Sequence, residues 1–176
     1  MNITVGYKGS MLASHVIKNN VNSVINTDRK GNAWWIFNFP FKHIDEPVFV
    51  LTCDNITNIN FNLIEKDYIQ KGKPECFLIP VKPIKKLEGD FIHRKKNIVT
   101  KLSRKVTSDI YCSGIQIINP YRINKIIKKT DDFNKVWKKL IIKKKLKVSD
   151  ILPKNWFTID NLLQLKIYKK TTSSNV

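Results

Sequence analysis

The chain has 176 residues, with 32 lysines and arginines against 14 aspartates and glutamates, a formal net charge of +18, and 42% hydrophobic residues. That length and apolar share fit one domain with a buried core. No run of about eighteen apolar residues occurs, which excludes a membrane-spanning helix. The cysteines Cys53, Cys76 and Cys112 are odd in number, widely spaced and without zinc-ligand spacing, which excludes a disulfide scaffold and a zinc module. The opening MNITVGYKGS has neither a basic n-region nor a long apolar stretch, so the expectation is a reduced, cytoplasmic protein. The arginines are Arg29, Arg94, Arg104 and Arg122; the other cations are lysines. Lysine, isoleucine and asparagine share A/T-rich codons, so base composition accounts for much of the charge. Readers of base edges favour the planar fork of arginine. The charge therefore predicts unspecific affinity for polyanions at low salt, and no specific nucleic-acid recognition.

In chain order, residues 2–5 (NITV) read as a short strand, 9–20 as a helix with Met11, Leu12, His15 and Val16 at helical spacing, and 21–26 as a second strand. The aromatic stretch 32–41 reads as helical until Pro40 stops it. Residues 46–55 (EPVFVLTCDN) form the strongest strand signal. The run Val48–Leu51 is apolar without alternation, as for a strand buried on both faces. A helix follows over 60–72, with Asn60 as N-cap and Gly72 beyond its end. Residues 75–82 are a strand, 89–105 a hairpin turning near Lys95–Asn97, and 111–120 a strand interrupted by Gly114. Helices are expected over 121–129 and 131–145, a short extended piece over 156–160 and a helix over 161–170. Residues 171–176 read as a frayed tail. With no internal repeat and no long linker, 1–170 reads as one domain. The alternation points to an α/β, Rossmann-like, mostly parallel sheet with helices on both faces.

In such sheets ligands lie at the carboxyl ends of strands. The strand 46–53 ends in Asp54-Asn55. A carboxylate there either meets a cation such as magnesium or opens the next loop as an Asx turn or N-cap. Asp160, after an apolar stretch and before a helix, is either an N-cap or a second such carboxylate. Gly114 marks either a bulge or a close approach of the backbone to a ligand. Lys105 reads first as a solvated charge. The histidines His15, His43 and His93 have no triad order or metal spacing. Trp34, Trp35, Phe37 and Phe39 read as core aromatics or as a patch for another element, and the lysine run 138–147 as a solvated helix face.

Taken in order, these segments resemble the sugar-phosphate nucleotidyltransferase family. VGYKGSML is similar to its second strand and following helix, and KGNAWWI (30–36) to its GTA segment. VFVLTCDN is similar to the L-x-x-G-D strand end, with Cys53 in place of glycine. GDFIHRKKNIVTKLSRK resembles the hairpin that ends in E-K-P; Lys105 takes the lysine position, with Arg104 and Val106 around it. SDIYCSGIQIINP resembles the strand S-x-x-x-x-x-G-I-Y-x-x-x-P, and NWFTIDNLLQL the closing W-x-x-I-D-T-x-x-D-L. The resemblance spans about residues 2–165. It implies an enzyme that joins a nucleoside triphosphate to a sugar 1-phosphate and releases pyrophosphate. It implies Mg2+ held by Asp54 and Asp160, Lys105 on the sugar phosphate, Gly114 beside the sugar, and Gly31 with Asn32 against the nucleotide. Thr158 stands where some members carry a further acidic ligand.

The family opens with a strand and a glycine-rich loop, L-A-A-G-x-G-T-R-L, whose N–H groups grip the triphosphate. Gly6, Gly9 and Gly31 do not form it, and no catalytic basic residue is identifiable. The expectation is a partial domain whose first βα unit is missing, with little turnover alone, and possible completion by a homo-oligomer or by a chain supplying the missing strand. The alternatives are a non-catalytic regulatory or partner subunit of the same fold, and a basic nucleic-acid-binding protein.

Overall fold

The computed structural model describes residues 1–84, 87 and 89–173. Its elements are β1 (Asn2–Val5), α1 (Gly9–Ile17), β2 (Ser23–Asn26), two 3-10 turns (Trp34–Phe37 and Phe41–His43), β3 (Val48–Val50), β4 (Asn55–Asn58), α2 (Phe61–Gln70), β5 (Cys76–Val81), β6 (Asp90–Lys95), β7 (Ile98–Ser103), β8 (Tyr111–Ile118), α3 (Pro120–Ile126), α4 (Phe133–Ile142), β9 (Leu146–Val148), β10 (Lys154–Thr158) and α5 (Leu162–Ser173). The α/β class expected from sequence holds. Helix α5 continues past residue 170, and residues 174–176 of the expected tail lie outside the described residues. None of the described helices is long and apolar enough to cross a membrane.

Local signals set the helix ends. The Asn60 side chain accepts from the Leu63 N–H at 3.1 Å and caps α2, as its sequence predicts. At the other end Gly72 takes φ +83°, with Gly72 N–H on Ile69 O and Lys73 N–H on Tyr68 O, both at 3.0 Å. That pair of bonds is a Schellman closure. Lys144 (φ 54°) closes α4 in the same way, through Lys144 N–H to Ile141 O and Lys145 N–H to Leu140 O. The helix expected over 131–145 therefore stops early, and β9 emerges from the lysine-rich run.

The chain forms two compact units, where the sequence alone suggests a single domain over 1–170. One comprises Met1–Asp45 and Pro120–Lys139. In it β1 and β2 pair in parallel, Asn2 opposite Ser23 through Val5 opposite Asn26, joined by α1. The aromatic stretch 32–41 forms two 3-10 turns and not the expected helix. Pro40 disfavours helical backbone at Phe39, and Asn38 is already extended (φ −130°, ψ 161°). Trp35 meets Phe41 and Phe133 edge-on, with ring centroids 5.3 and 6.4 Å apart, and Phe133 stacks on Trp137 at 5.7 Å. Phe39 is exposed, so of its two readings the core one does not hold. Helix α1 buries no residue; its Met11 and Ile17 face solvent.

The other unit comprises Glu46–Asn119 and the chain from Leu140 onward. Its six-stranded sheet has the order β3-β8-β5-β9-β7-β6, with β6 also meeting β8. The expectation of a mostly parallel sheet needs correction at the level of pairing. Strands β3, β5, β6 and β9 share one direction, but β8 runs reversed between β3 and β5, and β6–β7 is a hairpin. Among its neighbours only β5 and β9 pair in parallel. The hairpin has a two-residue turn, and a parallel return needs a crossover of a dozen or more residues. Burial also departs from expectation. Every residue of β5 is buried, whereas Phe49 and Leu51 are 37% and 52% exposed. The reason is position: β3 is the sheet's edge and pairs only with β8. The core is Ile64 and Tyr68 of α2 packed on Phe77, Ile79, Ile115 and Ile117, with Ile59, Ile151 and Trp156 around them.

An ionic clasp ties α2, the β6–β7 hairpin and the segment after β9. Asp150 accepts from Lys71 Nζ at 2.6 Å and from Arg94 Nη1 at 2.5 Å. The Lys71 hydrogen bond holds the Asp150 carboxyl below the usual carboxylate range, and the same bond raises Lys71. A lowered carboxyl contributes stability that is present above its unfolded value, about 4, and lost as pH falls through its folded value. The raised amine contributes below about 10.4 and loses that contribution as pH rises through its folded value. Asp150 is half exposed, so the pair contributes about 1 kcal/mol or less. Urea unfolding should show Asp150→Asn less stable than the parent at pH 7, with the gap closing toward pH 3. A gap that stays constant across that range would remove the ion pair as its cause.

Candidate functional site at the start of β4

The turn 52–54 leads from β3 into β4, and β4 pairs antiparallel with β10, Asn55 opposite Thr158 and Ile56 opposite Phe157. Antiparallel pairing lays the end of β10 on the start of β4. Ile159 N–H donates to Asp54 O at 2.9 Å, which brings Asp160 to the backbone of Asp54. The third strand at this corner is β8. Asn55 Nδ2 donates to Ser113 O at 3.1 Å, to Asp54 Oδ1 at 3.2 Å and to Thr52 Oγ1, while Asn55 Oδ1 accepts from Trp156 Nε1. One amide thus ties the turn, β8 and β10 together. Sequence reasoning gave Asn55 and Trp156 no role. The signal was present in the polar Asp-Asn pair at an apolar strand's end, but the partners come from distant segments.

Gly114 lies next to Ser113, at φ +83°. The β5–β8 register passes from Leu78–Gln116 to Pro80–Cys112, so residues 113–115 oppose Ile79 alone. This is the bulge of the two readings, in a backbone conformation that favours glycine. A Cβ on Gly114 would lie 3.3 Å from Thr52 Cγ2, so the turn before Asp54 packs on it.

Asp160 does not cap α5. Asn161 does: its Oδ1 accepts from Gln164 N–H at 3.0 Å, and Gln164 Oε1 reaches back to Asp160 N–H at 2.5 Å. No backbone N–H of the described residues donates to the Asp54 carboxylate, so Asp54 closes no Asx turn. Among the described residues neither carboxylate is in an ion pair. Glu46, Glu65, Asp109 and Asp132 are likewise outside any ion pair among the described residues, so what sets Asp54 and Asp160 apart is their place on two segments joined by the Ile159–Asp54 backbone bond. Thr158 is buried and lies opposite Asn55. No group of three or more His, Cys, Asp or Glu able to hold a metal occurs among the described residues. Magnesium bound to phosphates needs only one or two carboxylates, so a site for that ion, unlike an all-protein cage, does not require such a group.

The remaining candidates lie elsewhere. Lys105 is exposed in the bend after β7, its N–H on Ser103 Oγ at 3.3 Å. Gly31 and Asn32 belong to the other unit, and both are engaged there. A Cβ on Gly31 would fall 2.0 Å from Asp131 O, the same oxygen that accepts from Ala33 N–H at 2.9 Å. Asn32 Oδ1 accepts from Phe133 N–H at 3.0 Å, at the first residue of α4. Burial pushes the thiol of Cys112 up to about 12 and that of Cys76 well above its ordinary value. Neither supplies a thiolate nucleophile near neutral pH.

No protein-family model matches the sequence, and no curated protein matches it. Solved structures do match its fold. A protein described as a glucose-1-phosphate thymidylyltransferase from Bacillus anthracis, in complex with sucrose, superposes with a TM-score of 0.73 at 11% identity, over 97% of this chain and 74% of that one. The inositol-1-phosphate CTP transferase from T. maritima gives 0.68 at 16% identity, over 96% and 73%. HddC from Yersinia pseudotuberculosis gives 0.69 at 16% identity, over 97% and 77%. The fold is that of sugar-phosphate nucleotidyltransferases, as the sequence motifs suggested.

Proposed function

We propose that this chain carries the metal and sugar-phosphate side of a nucleotidyltransferase that joins a nucleoside triphosphate to a sugar 1-phosphate and releases pyrophosphate. The observation that carries the reading is the β4–β10 pairing, which brings the backbone beside Asp160 onto Asp54, whose carboxylate accepts from Asn55 and is in no ion pair among the described residues. The likeness in fold to transferases of phosphorylated substrates supports it. In this reading the two carboxylates hold Mg2+, which when bound neutralises phosphate charge and acts as a Lewis acid on phosphoryl oxygens. Asn55 keeps Asp54 in one orientation, and Trp156 keeps Asn55 in place. Gly114 presents backbone without a side chain beside that corner. Lys105 supplies a mobile cation for the sugar phosphate. Gly31 and Asn32 shape the segment that faces the nucleotide, in addition to their contacts with Asp131 and Phe133.

The open edge of β3, with Phe49 and Leu51 exposed, favours a sheet that takes a further strand in the working assembly. The same edge would serve a non-catalytic partner subunit. Binding separates the two readings. Glucose 1-phosphate with Mg2+ should raise the melting temperature more than the two do separately. A ligand at about a hundred times its Kd adds roughly 2.7 kcal/mol. Additive or absent shifts from glucose 1-phosphate, mannose 1-phosphate and inositol 1-phosphate would overturn the enzyme reading.

A further inference from the structure

The unit that holds Asp54 also has a recess of about 440 Å³ lined by Lys71, Arg94, Lys96, Asn97 and Asp150. None of these residues belongs to the Asp54–Asp160 corner. Its walls are fixed by local chemistry. Lys96 takes a left-handed conformation (φ 54°) and turns β6 into β7. Val148 N–H donates to Asn97 O at 2.9 Å, which lays that turn on β9. Lys147 Nζ donates to Lys71 O at 2.6 Å, at the end of α2. Buried Asp67 accepts from Ser149 Oγ at 2.5 Å and from Asp150 N–H at 3.1 Å, which sets the course of the chain into Asp150.

No apolar residue lines it, and the apolar part of its wall comes from the stems of long charged side chains, so discrimination between ligands rests on the charged groups at their ends. Three cations line it against one carboxylate, so a cationic ligand is repelled. Asp150 shows what the recess grips: its two oxygens are taken separately, Oδ2 by Lys71 and Oδ1 by Arg94. Two cations converging on the two oxygens of one anion form an oxyanion clamp. Lys96 and the Asn97 amide have no side-chain partner among the described residues, and Arg94 keeps further N–H donors beyond Nη1. The volume suits a small phosphorylated molecule.

We propose that this recess binds the phosphate group of a small molecule, through Lys96, the Asn97 amide and the spare N–H groups of Arg94, with Asp150 as an internal competitor for Lys71 and Arg94. The site does not depend on the transferase reading, since binding is measured here without turnover or Mg2+. Its source is either free phosphate or a phosphomonoester, and the two are separated by their affinities.

The test is an amide NMR titration of the full chain with inorganic phosphate and with adenosine 5′-monophosphate, at about 0.15 M salt to screen surface charge. Saturable shifts centred on Lys96, Asn97 and Asp150 are expected. Arg94→Gln and Lys96→Gln should each weaken binding by about tenfold, one charged hydrogen bond's worth. Asp150→Asn should tighten it several-fold, and Lys18→Gln, an equal charge change just after α1, should leave it unchanged. Lys96 is exposed in a turn, so its variant stays folded even if Arg94→Gln does not. Equal affinities for the two probes would assign the site to free phosphate, and tighter binding of the nucleotide to a phosphomonoester. Shifts spread evenly over the lysine surface, or equal effects of Lys96→Gln and Lys18→Gln, would overturn the proposal.

Discussion

Gly31→Ala is expected to destabilise the chain by about 3 kcal/mol, a large part of the roughly 5–15 kcal/mol that a domain has. An added Cβ would sit 2.0 Å from the carbonyl oxygen of Asp131 and 2.7 Å from its carbon. Those are backbone atoms and cannot rotate away as a side chain would. Either segment 27–33 or the start of α4 must shift. A shift breaks Ala33 N–H to Asp131 O and strains the Asn32 side chain's hold on Phe133 N–H. Each such hydrogen bond contributes about 1 kcal/mol net, and the overpacking adds to that. Gly6→Ala is the control, because a Cβ there meets nothing within 4 Å. Urea denaturation should separate the two variants clearly. If Gly31→Ala unfolds at the parental midpoint, the glycine is not there for its packing, and its place beside a nucleotide becomes the remaining reason.

Asp54→Asn should weaken Mn2+ binding, read by electron paramagnetic resonance of the free ion, by at least about tenfold with little change in stability. The argument is electrostatic. The Ile159–Asp54 backbone bond lies one residue from Asp160, and among the described residues neither carboxylate is in an ion pair. Removing one charge lowers both the attraction for a divalent ion and the number of charged oxygen ligands. Asparagine keeps the shape and can still accept from Asn55 Nδ2, so the turn should hold. Asp160→Asn should act in the same direction. Unchanged Mn2+ affinity in both variants would sink the metal assignment. A loss of stability with unchanged affinity would make Asp54 a structural residue of the turn.

Much of the local architecture was legible in the residues. Asn60 and Gly72 delimit α2 because a cap and a left-handed closure depend on a few neighbouring atoms. The β6–β7 hairpin and its turn at Lys96–Asn97 were legible for the same reason. Ordered motifs also pointed to the fold, since several weak segments in one order constrain a topology together. Burial of β3 was not legible. An apolar run without alternation looks the same in a central strand and in an edge strand, and only the neighbours decide. The strands β4 and β9 were missed because pairing partners, not propensity, make them strands: β10 for one, β5 and β7 for the other.

The candidate site divides along the same line. The residues themselves nominated Asp54 and Asp160, since a carboxylate at the end of an apolar stretch is a local pattern. Each kept a second reading as a cap or turn. Tertiary structure removed the cap reading of Asp160, by giving the cap of α5 to Asn161, and laid β10 on β4. Gly31 shows the converse: the resemblance alone put it beside a nucleotide, and its packing against the carbonyl of Asp131 had no local signal. Composition, caps, turns and the order of motifs act over a few residues, so the amino-acid sequence by itself determined them. Which segment is laid on Asp54, which strand is an edge and which cations surround Asp150 depend on contacts between distant segments. Those exist only once backbone pairing and packing have chosen one register, and only the tertiary structure decided them.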